Sequence, residues 1–201
     1  RRWHSLAPAN ARWCHRQSSK NFKSNLVQGE FAIQLIAARA LFSCANGLNH
    51  IYMLRYQTIP VTAFQQNCSI VWCDETLQAA VIDPGGDLDV LLAEVKRRGL
   101  TLTQIWQTHA HIDHAGGTAE LAKKLKLPIV GPHPADQFWI DGLPQQSGMF
   151  GFPHADAFTP TRWLFDGDTV TVGHCTLNVR HCPGHTPGHV VFYSPDIGRA
   201  F

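Results

Sequence analysis

Nothing in the 201 residues approaches the roughly 18 consecutive apolar positions that a membrane-spanning helix requires, which excludes that class of protein. Charged residues are scarce too, 16% against 44% apolar. A chain so built can bury a core and is not intrinsically disordered. The six cysteines include no CxxC pair and no framework spacing, so they read as reduced, mostly buried thiols of a cytoplasmic protein. Cys182, beside a histidine-rich stretch, reads as a small core residue, with a pocket-lining position as the alternative. Acids are nearly missing from one region: residues 1–52 hold seven Arg/Lys and a single acid, Glu30, whereas residues 53–201 carry a net charge of −4. The acidic body argues against a nucleic-acid footprint.

That charge switch sets the expected boundary. Residues 1–52 are basic and acid-poor, as an organellar transit peptide would be. The apolar stretch Phe31–Phe42 lies too far from the N-terminus for a secretory signal. We read 1–52 as a leader or non-native extension outside the fold, because strand patterning begins only at Met53. From there Leu54–Val61, Ser69–Cys73, Ala79–Ile82 and Gln104–Thr108 read as strands. Helices are expected from Asp87, with Leu88, Leu91, Leu92 and Val95 inward and Gly99 as the stop, and over Thr118–Leu127, with Leu121 and Leu125 inward. The Lys96-Arg97-Arg98 end reads as solvated. Alternating strands and helices predict an α/β layering. After Ala157 the texture turns to hairpins: Trp163–Phe165, Thr169–Val172, Thr176–His181 and a last strand His189–Tyr193. The aromatic-rich segment 131–160 reads either as a lid or as core packing under a long loop.

What is abundant is histidine, twelve in all, six of them in two short windows. In the first, Thr108 to Gly117, alternate side chains of an extended loop share a side, so His109, His111 and Asp113 can converge while His114 faces a neighbouring point. Imidazoles and a carboxylate suit zinc, iron or manganese. The window also follows a strand directly, where open α/β sheets place ligands. In the second window, His181-Cys182-Pro183-Gly184-His185-Thr186-Pro187-Gly188-His189, the Pro and Gly residues make a rigid loop around His185. This imidazole would complete a three-histidine set with His109 and His111 and leave a position open for water. His189 and His181 read as packed neighbours, and His133, His154 and His174 as surface or capping residues.

The HxHxDH of His109–His114, the Asp83-Pro84-Gly85 turn and the PGHTPGH of Pro183–His189 resemble the metallo-β-lactamase fold superfamily, and within it the glyoxalase II-type hydrolases. Pro60–Phe64, Gln66-Asn67-Cys68, Phe138-Trp139, Gly142-Leu143-Pro144 and Met149-Phe150-Gly151 are similar to a short bacterial branch. The resemblance spans Met53 to about Tyr193. It implies an αββα sandwich with two divalent metal ions, zinc first with iron or manganese as alternatives. His109, His111 and His185 would hold the first metal, and Asp113 and His114 the second, with Asp113 also helping to orient the nucleophile. Asp83 would orient the loop without binding metal. The implied reaction is attack of a metal-generated hydroxide on a thioester such as S-lactoylglutathione, with a glutathione conjugate as the partner and no nucleic acid or membrane. Rival readings are an iron-dependent persulfide dioxygenase, a lactonase or β-lactam hydrolase, and a metal-binding remnant without turnover. The family's bridging aspartate and last histidine are expected beyond Phe201, which makes the domain look incomplete at its C-terminus, and Asp196 reads as a loop residue.

Overall fold

The computed structural model describes residues 52–201. The expectation for the leader therefore lies, except at Tyr52, outside the described residues. Five strands form the first sheet in the order β1 (Leu54–Val61), β2 (Gln66–Cys73), β3 (Gln78–Ile82), β4 (Thr101–Trp106) and β5 (Ile129–Val130). The β1–β2 and β2–β3 pairs are antiparallel, while β3–β4 and β4–β5 are parallel. Parallel neighbours need crossovers. Helix α1 (Leu88–Arg97) supplies the first; the one-turn α2 (Ile112–Ala115) and α3 (Thr118–Leu125) supply the second. A 3₁₀ turn at Pro134–Asp136 leads into α4 (Gln137–Asp141) and α5 (Leu143–Phe150). The second sheet is antiparallel throughout, in the order β6 (Thr169–Val172), β7 (Cys175–His181), β8 (Val190–Ser194) and β9 (Arg199–Ala200).

Period-two alternation sorts the apolar residues into two cores. Ile70, Trp72, Ala79, Val81 and Ile105 face the helices and meet Leu88, Leu91, Leu121, Ile140 and Leu143. Val71, Cys73, Ala80, Ile82 and Trp106 face the other way and pack on Val170, Leu177, Val179, Val190 and Phe192 of the second sheet. Because the first sheet is covered on both faces, β2 and β3 read as continuous apolar runs. The layers are thus helix, sheet and sheet. The outer face of the second sheet carries no helix among the described residues. No described helix is long and apolar enough to cross a membrane.

Several local expectations change. Trp163–Phe165 is not a strand; only a single bridge, Arg162 to Val130, forms there. The α3 helix stops at Leu125, which is 39% exposed rather than inward, and Lys126 turns left-handed at φ 56°. Asp87 makes no side-chain cap on α1. Its carboxylate accepts the Thr62 N–H at 2.7 Å instead and ties the β1–β2 loop to the turn after β3. Arg98 is not simply solvated, because it bonds Glu94 and Gln57 and lies over the Trp72 ring, 4.8 Å from its centroid. Cys182 is exposed, while Cys68, Cys73 and Cys175 are buried free thiols. Segment 131–160 is partly helical and divided in role: Phe158 is buried, whereas Phe138 and Phe150 stay exposed.

Candidate metal centre

Both histidine windows open from strand ends. The chain leaves β4 through Gln107, Thr108 and His109, and the second window bridges β7 to β8. A backbone bond from the Val190 N–H to the Thr108 carbonyl, 2.9 Å, joins the two at their bases. The first window is not extended throughout. His111 is extended, but its carbonyl accepts from the N–H groups of His114 and Ala115, winding Ile112–Ala115 into the single turn of α2. Alternation along a loop therefore accounts for His109 and His111, and a helical turn places Asp113 and His114.

His109, His111 and His185 bring one ring nitrogen each to within 4.8 Å of one another. The His111 Nδ1 to His185 Nε2 distance is 3.1 Å. His109 is buried, His111 half-buried and His185 exposed. Neighbouring this cluster, the His114 Nε2 lies 3.5 Å from an Asp113 carboxylate oxygen. His189 approaches with its ring 5.0 Å from that of His109, and Trp139 stands edge-on to His111 at 4.6 Å. Of the other histidines, His133 accepts from the Ala135 N–H and stacks on His181 at 4.0 Å, while His154 and His174 meet Asp156 and Glu75 at the surface.

Asp83, His109 and His114 also gather three ligand-type atoms within 4.8 Å. Asp83 is nevertheless already committed. Its Oδ1 accepts from the Gln107 side-chain amide at 3.0 Å and the Thr108 N–H at 2.7 Å. Its Oδ2 accepts from the Thr108 hydroxyl at 2.5 Å and lies 2.9 Å from His114 Nδ1. With the carboxylate so engaged, Asp83 orients the loop. Its own backbone is left-handed, φ 54°, a strain of about 1–3 kcal/mol that persists only where surroundings over-determine it. The next turn is just as tight: a Cβ on Gly85 would sit 1.6 Å from the Asp113 carbonyl oxygen.

The Thr108 hydroxyl fixes the His109 tautomer. A hydroxyl has one proton, and here it goes to Asp83, so the oxygen can only accept from His109 Nδ1, 2.9 Å away. The lone pair of His109 then resides on Nε2. That atom is buried and has no hydrogen-bond partner. An orphaned, buried imidazole nitrogen flanked by two more imidazoles fits a metal ligand, with the tautomer-fixing partner such ligands have.

Electrostatics agree with the geometry. Burial, followed by the neighbouring histidines, pulls the His109 pKa down from 6.5 to about 2 and keeps the ring neutral. Burial and then His185 lower His111, against Asp113 and Asp136. Burial also works against the charged form of His114, but the hydrogen bond and charge of Asp83, with Asp113, outweigh it and raise its pKa.

Several organising residues carry no metal-ligand signal in the sequence. Gln107 joins Asp83 to the His109 carbonyl and accepts from the Thr118 hydroxyl. Gln146 of α5 accepts the Ile112 N–H at 3.1 Å and donates to the Trp139 carbonyl at 2.9 Å. Asp136 is fully buried against both windows. A separate cleft of about 460 Å³ lies behind Gly85 and Gly116-Gly117, lined by Phe64, Phe150 and Phe152 but by none of the clustered histidines.

Residues 61–201 match the metallo-β-lactamase superfamily. The chain belongs to that family. It is 40% identical over 149 residues to the hydroxyacylglutathione hydrolase GloC of Haemophilus influenzae, covering 74% of this chain and 70% of that protein. The hydroxyacylglutathione hydrolase of Maricaulis maris is 34% identical across 62% of this chain, which spans only 41% of its length. Among solved structures, TTHA1623 in a di-iron-bound form is 34% identical, with a TM-score of 0.64 over 72% of this chain and 70% of its own. The BLEG-1 B3 metallo-β-lactamase is 31% identical at a TM-score of 0.65, over 73% and 70%. With its histidine and aspartate cluster in this fold, the chain is a metallo-hydrolase of the superfamily.

Proposed function

We propose that the protein hydrolyses a glutathione thioester, with S-lactoylglutathione as the representative substrate. The observation that carries this reading is the unpartnered Nε2 of His109, set between His111 and His185, in a chain 40% identical to a hydroxyacylglutathione hydrolase. In this reading His109, His111 and His185 hold one divalent ion, and Asp113 and His114 contribute to a second. When bound, the ions supply Lewis acidity for the thioester carbonyl and a water of lowered pKa as nucleophile. Zinc suits the ligand set, and the di-iron form of TTHA1623 keeps iron as the alternative.

The chain's own residues prepare that chemistry. Thr108 holds the proton of His109 at Nδ1, so the Nε2 lone pair is presented without a deprotonation step. Asp83 holds His114 through Nδ1 and turns its Nε2 toward Asp113. Asp113 in turn keeps a carboxylate beside the point where the nucleophile is needed. Trp139 packs against His111 and restricts that ring. The leaving thiolate, with a parent pKa near ~8.5, departs without a strong general acid. The buried free thiols suit a reducing compartment, and the proposal places the protein in the cytoplasm.

The test is release of free thiol from S-lactoylglutathione by protein loaded with zinc, iron or manganese, compared with a His111→Ala variant. Thiol release by the parent and its loss in the variant would support the reading. An absence of release with every metal would overturn it.

A further inference from the structure

We propose that Asp136 is the positioning residue that sets the spacing between the two halves of the first metal site. The proposal rests on the reading of His109, His111 and His185 as its ligands. Asp136 ends the 3₁₀ turn before α4 and is fully buried. One carboxylate oxygen accepts the Ala110 N–H at 3.1 Å and the Thr186 hydroxyl at 2.9 Å, and the other accepts the Gly188 N–H at 2.6 Å. Ala110 lies between His109 and His111. Thr186 directly follows His185, and Gly188 closes the same loop. A single side chain thus holds the backbone of one window and both buried anchor points of the other.

Among the described residues, no other side chain near the cluster does this. Asp83 bonds only Gln107, Thr108 and His114, all on the first-window side, and Gln146 bonds Ala110, Ile112 and Trp139. The turn carrying Asp136 is itself fixed. His133 accepts the Ala135 N–H through Nδ1, and its own N–H donates to the Gly188 carbonyl. Glycine at 188 is what permits the approach, since a Cβ there would stand 2.6 Å from the Asp136 nitrogen and 2.7 Å from its Cβ.

The consequence follows from the exposure of the second window. His185 is exposed, as are Pro183, Gly184 and Pro187 around it. Burial does not hold that imidazole, whereas metal ligation requires its nitrogen to be correct within about 0.2 Å. Thr186 and Gly188 are the buried residues of the loop, and both end on Asp136. Partners of this kind, which orient ligands without touching metal, change affinity by roughly 10–100-fold.

The test uses the 201-residue chain, Co²⁺ as the probe, and the variants Thr186→Val, Thr186→Ser and Asp136→Asn. Thr186→Val deletes one hydroxyl at constant shape. In Asp136→Asn the amide nitrogen must face an N–H donor. Three quantities are read: the cobalt dissociation constant by chelator competition, the visible ligand-field spectrum, and the melting temperature of the metal-free protein. We expect Thr186→Val and Asp136→Asn to bind cobalt at least ~10-fold more weakly with altered band intensities, and Thr186→Ser to match the parent. A purely structural role would lower melting temperature and leave the affinity and spectrum of the folded protein unchanged. Parent-like affinity and spectrum in Thr186→Val, or equal losses in the Val and Ser variants, would overturn the proposal. Should Asp136→Asn fail to fold, the Thr186 pair decides alone. If the parent itself binds no cobalt, it is the ligand assignment that fails.

Discussion

The two histidine windows differ in how they are held. The first leaves the interior of the sheet and is braced by buried Asp83, Gln107, Thr108, Asp136 and Gln146. Its leading histidine, His109, is 2% exposed. The second runs over the surface, holds His185 in the open, and reaches the interior mainly through Thr186 and Gly188. One half of the site is part of the fold's polar core, and the other is a surface loop whose buried residues, Thr186 and Gly188, are bonded to Asp136. Damage to the first should therefore unfold the protein, and damage to the second should leave a folded protein that binds metal poorly.

The largest effect is expected at Asp83. Asp83→Ala leaves the Gln107, Thr108 and His114 donors without their acceptor, and unsatisfied buried groups cost about 1–3 kcal/mol each. A loss of about 3 kcal/mol or more in urea unfolding is expected; a loss below about 1 kcal/mol would remove the distinction between the windows. Next, His109→Ala should cost about 1–3 kcal/mol of metal-free stability, whereas His185→Ala should stay within about 0.5 kcal/mol of the parent. Both should abolish tight metal binding at the first site, so stability and metal content separate the two. Equal stability losses would contradict the contrast.

A smaller effect is expected from acid. His109, His111 and His189 are all held below the ordinary value of 6.5, chiefly by burial. Below 6.5 the unfolded chain takes up protons at these rings and the folded chain does not, so metal-free stability falls as pH drops from 6.5 toward their folded values. His114 is raised and opposes this: its contribution is full below 6.5 and is lost as pH rises through its folded value. Burial and then His181 lower His133 as well, so four rings against one predict a lower urea midpoint at pH 5.5 than at pH 7.5, and a higher midpoint at pH 5.5 would count against burial as the dominant cause. The smallest effect is expected on removing residues 1–52, which should leave metal content and melting temperature unchanged; a marked fall in either would show that the segment belongs to the fold.

The sequence made this contrast only half legible. Alternating or continuously apolar runs exposed β1 to β4 and the hairpins after Asp168, and the two histidine-rich windows drew attention to His109, His111 and His185, whose ring nitrogens gather. The one-turn helix at Ile112–Ala115 was not readable, because four residues carry no periodicity and the turn is set by the His111 carbonyl. Asp136 and Gln146 were missed for a different reason. Apart from the Thr186 hydroxyl, their partners are backbone groups, 7 to 52 residues away, and a backbone group leaves no mark in residue type. The spacing of Leu125 from Leu121 is helical and points it inward, yet the helix ends there and the residue is 39% exposed.

The most direct test of the account is anomalous diffraction at the metal absorption edge from crystals grown with zinc. The account predicts a peak about 2.0–2.1 Å from His109 Nε2, shared with His111 and His185. A peak confined to other histidines, such as the stacked His133 and His181, with none at His109, would contradict it.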